Sequence, residues 1–154
     1  MSKRESGSVR AARAIVAGHG DFAVGLVSAV QQITGRGGTF RTISARDLSG
    51  TDLEQLIRAT IEEIGAHVVF TDLQAGSCTI AARRVLRDRH DVLLVGGANL
   101  PMLLDFVFAD DLPPMEAARH ALERGRAAIT AVQGSPGKPS SGGGGGGGGA
   151  GGGT

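Results

Sequence analysis

Three times in this chain a short apolar run stops at a glycine-bearing turn: AIVA (residues 14–17) before Gly18-His19-Gly20, VVFT (68–71) before DLQAGS (72–77), and DVLLV (91–95) before Gly96-Gly97. Runs this short and this continuously apolar suit strands covered on both faces, not surface helices. After the first, Phe22, Leu26, Val30 and Ile33 recur at helical spacing, and residues 79–86 and 102–108 read as helices after the second and third. Strand followed by helix in repetition predicts an α/β domain with an open, mainly parallel sheet, right-handed crossovers and helices on both faces.

The remaining segments fit that frame. Residues 39–43 are β-branched and short enough for a second strand. Thr51 and Glu54 have capping-box spacing, and Leu53, Leu56, Ile57, Ile61 and Ile64 follow on one helical face. Another helix is expected over about residues 115–124. Residues 127–132 fit either its continuation or a last strand, and Gly125 interrupts the helical pattern, so a strand is the expectation.

Both ends of the chain are of a different character. Residues 1–12 are polar, and residues 134–154 are dominated by Gly with some Ser and Pro, a composition expected of a disordered, flexible tail. Residues 13–133 remain as one domain, long enough to bury a core without a disulfide, which the lone Cys78 could not supply. Of the formal net charge of +1, the N-terminal segment carries +2 and Lys138 another +1, which leaves the domain at −2. With no basic field and neither Trp nor Tyr, sequence-independent nucleic-acid binding lacks both its usual supports. No apolar run approaches the roughly 20 residues of a membrane span, and the first residues have no apolar signal region, so the chain reads as cytoplasmic.

In an open α/β sheet, ligands meet the protein at the carboxyl ends of the strands, and all three glycine-bearing turns lie there. His19 stands between two glycines just ahead of a helix start, where free N–H groups and the helix dipole favour an anion. A histidine so placed can serve as nucleophile, base or metal ligand. Asp72 is the candidate to accept from its Nδ1–H and leave Nε2 as the exposed nucleophile. Gly20, Ser77 and the backbone around Gly76 can add donors and close approach for phosphate oxygens. Each piece also has a plain structural reading, a loop histidine or a helix cap, and it is their convergence at one sheet edge that argues for a site.

Elsewhere the signals are weaker. His67, His90 and His120 show no metal-ligand spacing and read as structural or solvent-facing, and neither metal nor cofactor is expected. Cys78 has no second cysteine at a redox spacing and reads as a small buried residue. Arg83 and Arg87, one helical turn apart in the densest positive cluster, read either as a solvated face or as a docking patch. Phosphate-loop and dinucleotide fingerprints are absent.

The sequences AIVAGHG (14–20), VVFTDLQAGS (68–77) and GGANLPML (96–103), in this order, resemble the IIA component of the mannose-family sugar phosphotransferase system (PTS) over nearly the whole domain. The resemblance implies that His19 takes a phosphoryl group from the phosphocarrier HPr on Nε2 and passes it to a IIB domain for sugar uptake, with the membrane components IIC and IID engaged indirectly. It implies that Asp72 orients His19, that Gly20, Gly76 and Ser77 stabilise the phosphate, and that Asn99, Leu100, Pro101 and Met102 border the site. It further implies a homodimer that exchanges a C-terminal strand, for which residues 127–132 are available. Two positions depart from the family pattern. Gly18 stands where Thr or Ser is usual, and residues 75–78 read AGSC in place of Gly-Gly-Ser-Pro. Other readings of the same residues are a regulatory sensor of phosphorylation state, the related phosphotransfer subunit of dihydroxyacetone kinase, and a binding domain with no covalent step. The Asn-Leu-Pro-Met run favours the sugar branch.

Overall fold

A computed structural model describes residues 11–137; most of the expected tail, and the first ten residues, lie outside them. The element order is β1 (Ala14–Gly18), α1 (Phe22–Thr34), a 3-10 turn (Gly37–Thr39), β2 (Phe40–Ser44), α2 (Gly50–Ile64), β3 (Val68–Thr71), α3 (Ser77–Leu86), β4 (Leu93–Gly96), α4 (Leu100–Phe108) and α5 (Pro114–Ala127). The strands form one parallel sheet in the order β2-β1-β3-β4. The open α/β architecture is therefore the one expected.

Strand alternation divides the core between the two sheet faces. Ala14, Val16, Val68 and Phe70 pack with Ala23, Val30, Met102, Leu103 and Phe106, which places α1, α4 and α5 on one side. Ile15, Ala17 and Val69 pack with Leu53, Ile57, Ile61, Ala81 and Val85, which places α2 and α3 on the other. The rings of Phe40, Phe70 and Phe106 meet at centroid distances of 5.3 to 6.1 Å, and burial of this cluster pins α4 to the sheet centre.

Three local expectations are corrected. The cap of α2 is Ser49, whose Oγ accepts from Asp52 N at 3.1 Å; Thr51 already lies inside the helix, so it cannot be the N-cap. Gly125 does not end α5 but is buried within it, because a Cβ there would lie 2.9 Å from Met102 Cβ and Cε and 3.0 Å from Asn99 Oδ1. Glycine at this position lets α4 and α5 approach closely. The expected strand over residues 127–132 is not present: α5 runs to Ala127, and the chain beyond is without regular structure, with Ile129 74% and Val132 93% exposed. None of the four strands among the described residues pairs with this segment, so its backbone has no ladder to join.

Strand order decides where a site can form. The chain leaves β1 toward β2 on one side and leaves β3 toward β4 on the other, so the β1 and β3 carboxyl ends diverge at a topological switch point. His19 follows β1 and Asp72 follows β3.

Candidate phosphoryl-transfer site

His19 and Asp72, 53 residues apart in sequence, meet across that switch point. The His19 backbone N–H donates to Asp72 Oδ2 at 2.9 Å, and the ring Nδ1 lies 2.7 Å from the same oxygen. With Asp72 ionised, Nδ1 carries the proton and Nε2 presents its lone pair outward. The imidazole is half exposed while the carboxylate is only 10% exposed, so the pair has a buried base and an open face.

Burial by itself pushes the Asp72 carboxyl up, but the His19 N–H, the ring hydrogen bond and the ring charge outweigh it and hold Asp72 below its ordinary value. It therefore stays ionised at neutral pH. Asp72 Oδ1 is buried and has no hydrogen-bond partner among the described residues.

Ser77 is the first residue of α3, and its Oγ lies 3.2 Å from His19 Nε2. The hydroxyl donates to this nitrogen in the resting state and can rotate to an oxygen of a group bonded there. Gly76, the N-cap, brings no capping side chain, and the first intrahelical bond runs from Ile80 N to Gly76 O at 2.8 Å. The N–H groups of Ser77, Cys78 and Thr79 precede that bond and form the positive end of the helix. A Cβ on Gly76 would sit 3.4 Å from His19 Cε1 and 3.2 Å from Leu73 Cδ1, so glycine leaves the imidazole room beside the helix start. Gly20 takes φ +52, which turns the chain sharply from β1 into α1, and its carbonyl accepts from Ser44 Oγ at 3.1 Å.

Two threonines that sequence reasoning passed over fasten this arrangement. Thr79 Oγ1 donates to Leu73 O at 2.6 Å and lies 2.8 Å from Thr71 Oγ1; both side chains are buried. They tie the loop carrying Asp72 to the end of β3 and to α3. Their signal in the sequence is faint: one ends a strand and the other opens a helix, and either is an ordinary choice there.

The two departures from the family pattern each have a physical setting. A Cβ on Gly18 would lie 2.6 Å from Phe22 Cδ1 and 3.2 Å from Asp72 Cγ, so the Phe22 ring occupies the space a larger residue would need. Cys78 is fully buried, and that burial, together with the Asp72 charge, pushes its thiol up to about 11 against a lowering hydrogen bond with Ser77. It is a packed thiol, not a nucleophile.

Other predicted residues stand further off. Asn99 Oδ1 accepts from Met102 N at 3.1 Å and its Nδ2 donates to Gly125 O at 3.0 Å, so it caps α4 and staples it to α5. Met102 is buried against Gly125, Leu100 packs beside the core, and Pro101 is exposed on the first turn of α4. This loop adjoins the site through Gly96, where a Cβ would lie 2.9 Å from Leu73 O, and through Ala98 N, which donates to Thr71 O at 2.9 Å. Arg83 and Arg87 are exposed toward the far end of α3, about 9 and 15 Å along the axis from Ser77 at the usual helical rise. Among the described residues no cluster of three or more His, Cys, Asp or Glu can hold a metal ion, and no helix is long and apolar enough to cross a membrane.

A histidine held through Nδ1 by a buried carboxylate, with Nε2 beside a serine hydroxyl at a helix N-terminus, makes an α/β domain with a candidate nucleophile next to an anion-binding helix end. Comparison with known proteins names the family. Residues 13–123 match the family model EIIA-man, PTS system fructose IIA component, and the chain belongs to that family. Its role is that of a phosphoryl carrier in the sugar phosphotransferase system. A solved structure from Klebsiella pneumoniae subsp. pneumoniae MGH 78578, described as that of a phosphoenolpyruvate-dependent sugar PTS permease, is 28% identical with a TM-score of 0.67, over 77% of this chain and 89% of that one. Phosphotransferase component EIIA from Streptococcus agalactiae is 19% identical (TM-score 0.69; 77% of this chain, 95% of that one). The mannose/sorbose-specific IIA subunit from Enterococcus faecalis is 20% identical (TM-score 0.69; 82% and 98%). The last two share the fold. No curated protein sequence matches the chain significantly.

Proposed function

We propose that His19 Nε2 accepts the phosphoryl group from phosphorylated HPr and passes it to a IIB domain. The observation that supports this reading is the single carboxylate oxygen, Asp72 Oδ2, that binds both the backbone N–H and Nδ1 of His19. The lone pair on Nε2 attacks phosphorus in line, the donor's P–N bond breaks, and the donor imidazole leaves with that electron pair. His19 keeps its Nδ1 proton, so the phosphorylated ring is cationic and the Asp72 carboxylate balances its charge. Ser77 Oγ–H and the first N–H groups of α3 receive the phosphoryl oxygens. Positioning and fixed dipoles do the catalytic work, and onward transfer reverses the same steps.

On this reading the protein works in the cytoplasm as a phosphotransferase component and engages IIC and IID only through IIB. A homodimer is part of the proposal. Ile129 and Val132 are too exposed for a finished surface, and β4, an edge strand, pairs only with β3 among the described residues. Residues 127–132 of each chain would complete an edge of the other.

The test is incubation of the purified chain with phosphoenolpyruvate, enzyme I and HPr, followed by intact mass at alkaline pH. One added phosphoryl group, acid-labile and lost in His19→Ala, is expected. A wild-type chain that stays unmodified with several HPr proteins would remove the carrier step from His19.

A further inference from the structure

Away from the strand ends, between α4 and α5, stands a second histidine built like the first. His120 of α5 places Nδ1 2.7 Å from Asp105 Oδ2 of α4, the same atoms at the same distance as His19 and Asp72. Its side chain is 51% exposed against 52% for His19, and Asp105 is mostly covered at 22%. Arg124 lies one turn beyond His120 on α5, with Nε 4.0 Å from Asp105 Oδ1. Asp105 and Arg124, but not His120 itself, help line an adjoining cleft of about 430 Å³ that is otherwise apolar, with Pro101, Leu104 and Phe108 in its wall. Phe108 is 62% exposed at its rim.

We propose that His120 is a second phosphoryl-accepting histidine of this chain. The carboxylate holds the proton on Nδ1, so Nε2 is the free nucleophile, as at His19. The Nε2 lone pair attacks the phosphorus of a P–N phosphoryl donor (a phosphoramidate), the new P–N bond forms as the donor's P–N bond breaks, and the amine leaves with that electron pair and takes up a proton from water. Nδ1–H stays in place, and Asp105 offsets the positive charge that the ring acquires. The first turn of α4 offers little to the oxygens, because Pro101 has no N–H and that of Met102 is taken by Asn99. The Arg124 guanidinium takes that part, and the open apolar cleft gives a donor molecule ground on which to sit.

Neither of the other two histidines has this combination. His67 Nδ1 faces a backbone carbonyl, that of Asp91, at 2.8 Å, and its nearer carboxylate oxygen is 3.9 Å away. His90 is exposed in the loop between α3 and β4. They are internal controls in the same chain.

The inference goes beyond the HPr reading and is tested without it. Potassium phosphoramidate, a small chemical donor, is added to the full-length His19→Ala protein, and labelled peptides are mapped with time at alkaline pH. His120 is expected to label about tenfold faster than His67 or His90, and Asp105→Asn and Arg124→Ala each to reduce that rate several-fold while thermal melting shows the fold retained. A His120 rate equal to that of His90, or one unmoved by both substitutions, would overturn the proposal. A parallel arm supplies phosphoenolpyruvate, enzyme I and HPr to the wild-type chain. Failure there alone counts against the carrier step at His19 and leaves the His120 result standing.

Discussion

Gly18 and Phe22 occupy one another's space, and that can be measured as a coupling energy. Ordinary carbon contact is about 3.5–4.0 Å, so a Cβ placed 2.6 Å from Phe22 Cδ1 forces the ring back by about 1 Å. The same Cβ would lie only 3.2 Å from Asp72 Cγ, so it is crowded from a second side as well. Backbone strain plays no part, since Gly18 lies in a regular strand. Overpacking of this kind costs about 1–3 kcal/mol, so Gly18→Ala is expected to lower stability by that amount. Removing the obstacle with Phe22→Ala should release most of it, giving a coupling of at least about 1 kcal/mol in the four-protein cycle. With neither Trp nor Tyr in the chain, urea unfolding is followed by far-ultraviolet circular dichroism, not by fluorescence. Effects additive within about 0.3 kcal/mol would refute the reasoning, because the two positions would then not share space.

Three more predictions rest on the same geometry. Asp72→Asn should slow phosphorylation of His19 by about 10- to 100-fold with the fold intact, since an amide no longer fixes the Nδ1–H tautomer; timed phosphorylation and a melting curve check it together. The same substitution should flatten the acid limb of the stability curve. Asp72 is held below its ordinary value of 3.8, so its stabilisation is fully present above that pH and is lost as pH falls through the lower folded value. An unchanged acid limb in Asp72→Asn would refute that assignment. Gly125→Ala should cost about 1–3 kcal/mol in urea unfolding, because the new methyl meets the Cβ of Met102 as well as its mobile end.

Much of the site is legible in the residues themselves. The histidine, its aspartate and the serine each stand directly after a strand or at a helix start, places where turn chemistry is local and a glycine betrays the bend. Helix ends are less so. Ser49 and Thr51 are both good caps, and the choice between them rests on the backbone at Ser49, which is extended at φ −69 and ψ 164. Gly125 misleads because a buried glycine in a helix signals its neighbour across the interface, here Met102, and that neighbour is 23 residues away in sequence.

Apolar periodicity, an alternation of strand and helix patterns and a handful of glycines are enough to determine the open α/β class, the elements up to the start of α5 and the candidate residues, because these depend mostly on contacts within a few residues. Tertiary structure decided the rest. It set the strand order that makes β1 and β3 neighbours, the 2.7 Å approach that gives His19 its tautomer, and the threonine fastening beneath Leu73. It also brought Asp105 to His120, from two helices that the sequence shows only as separate segments. The two histidine–carboxylate pairs join residues 53 and 15 positions apart, and no local pattern reports a distance that the packing of the whole chain establishes.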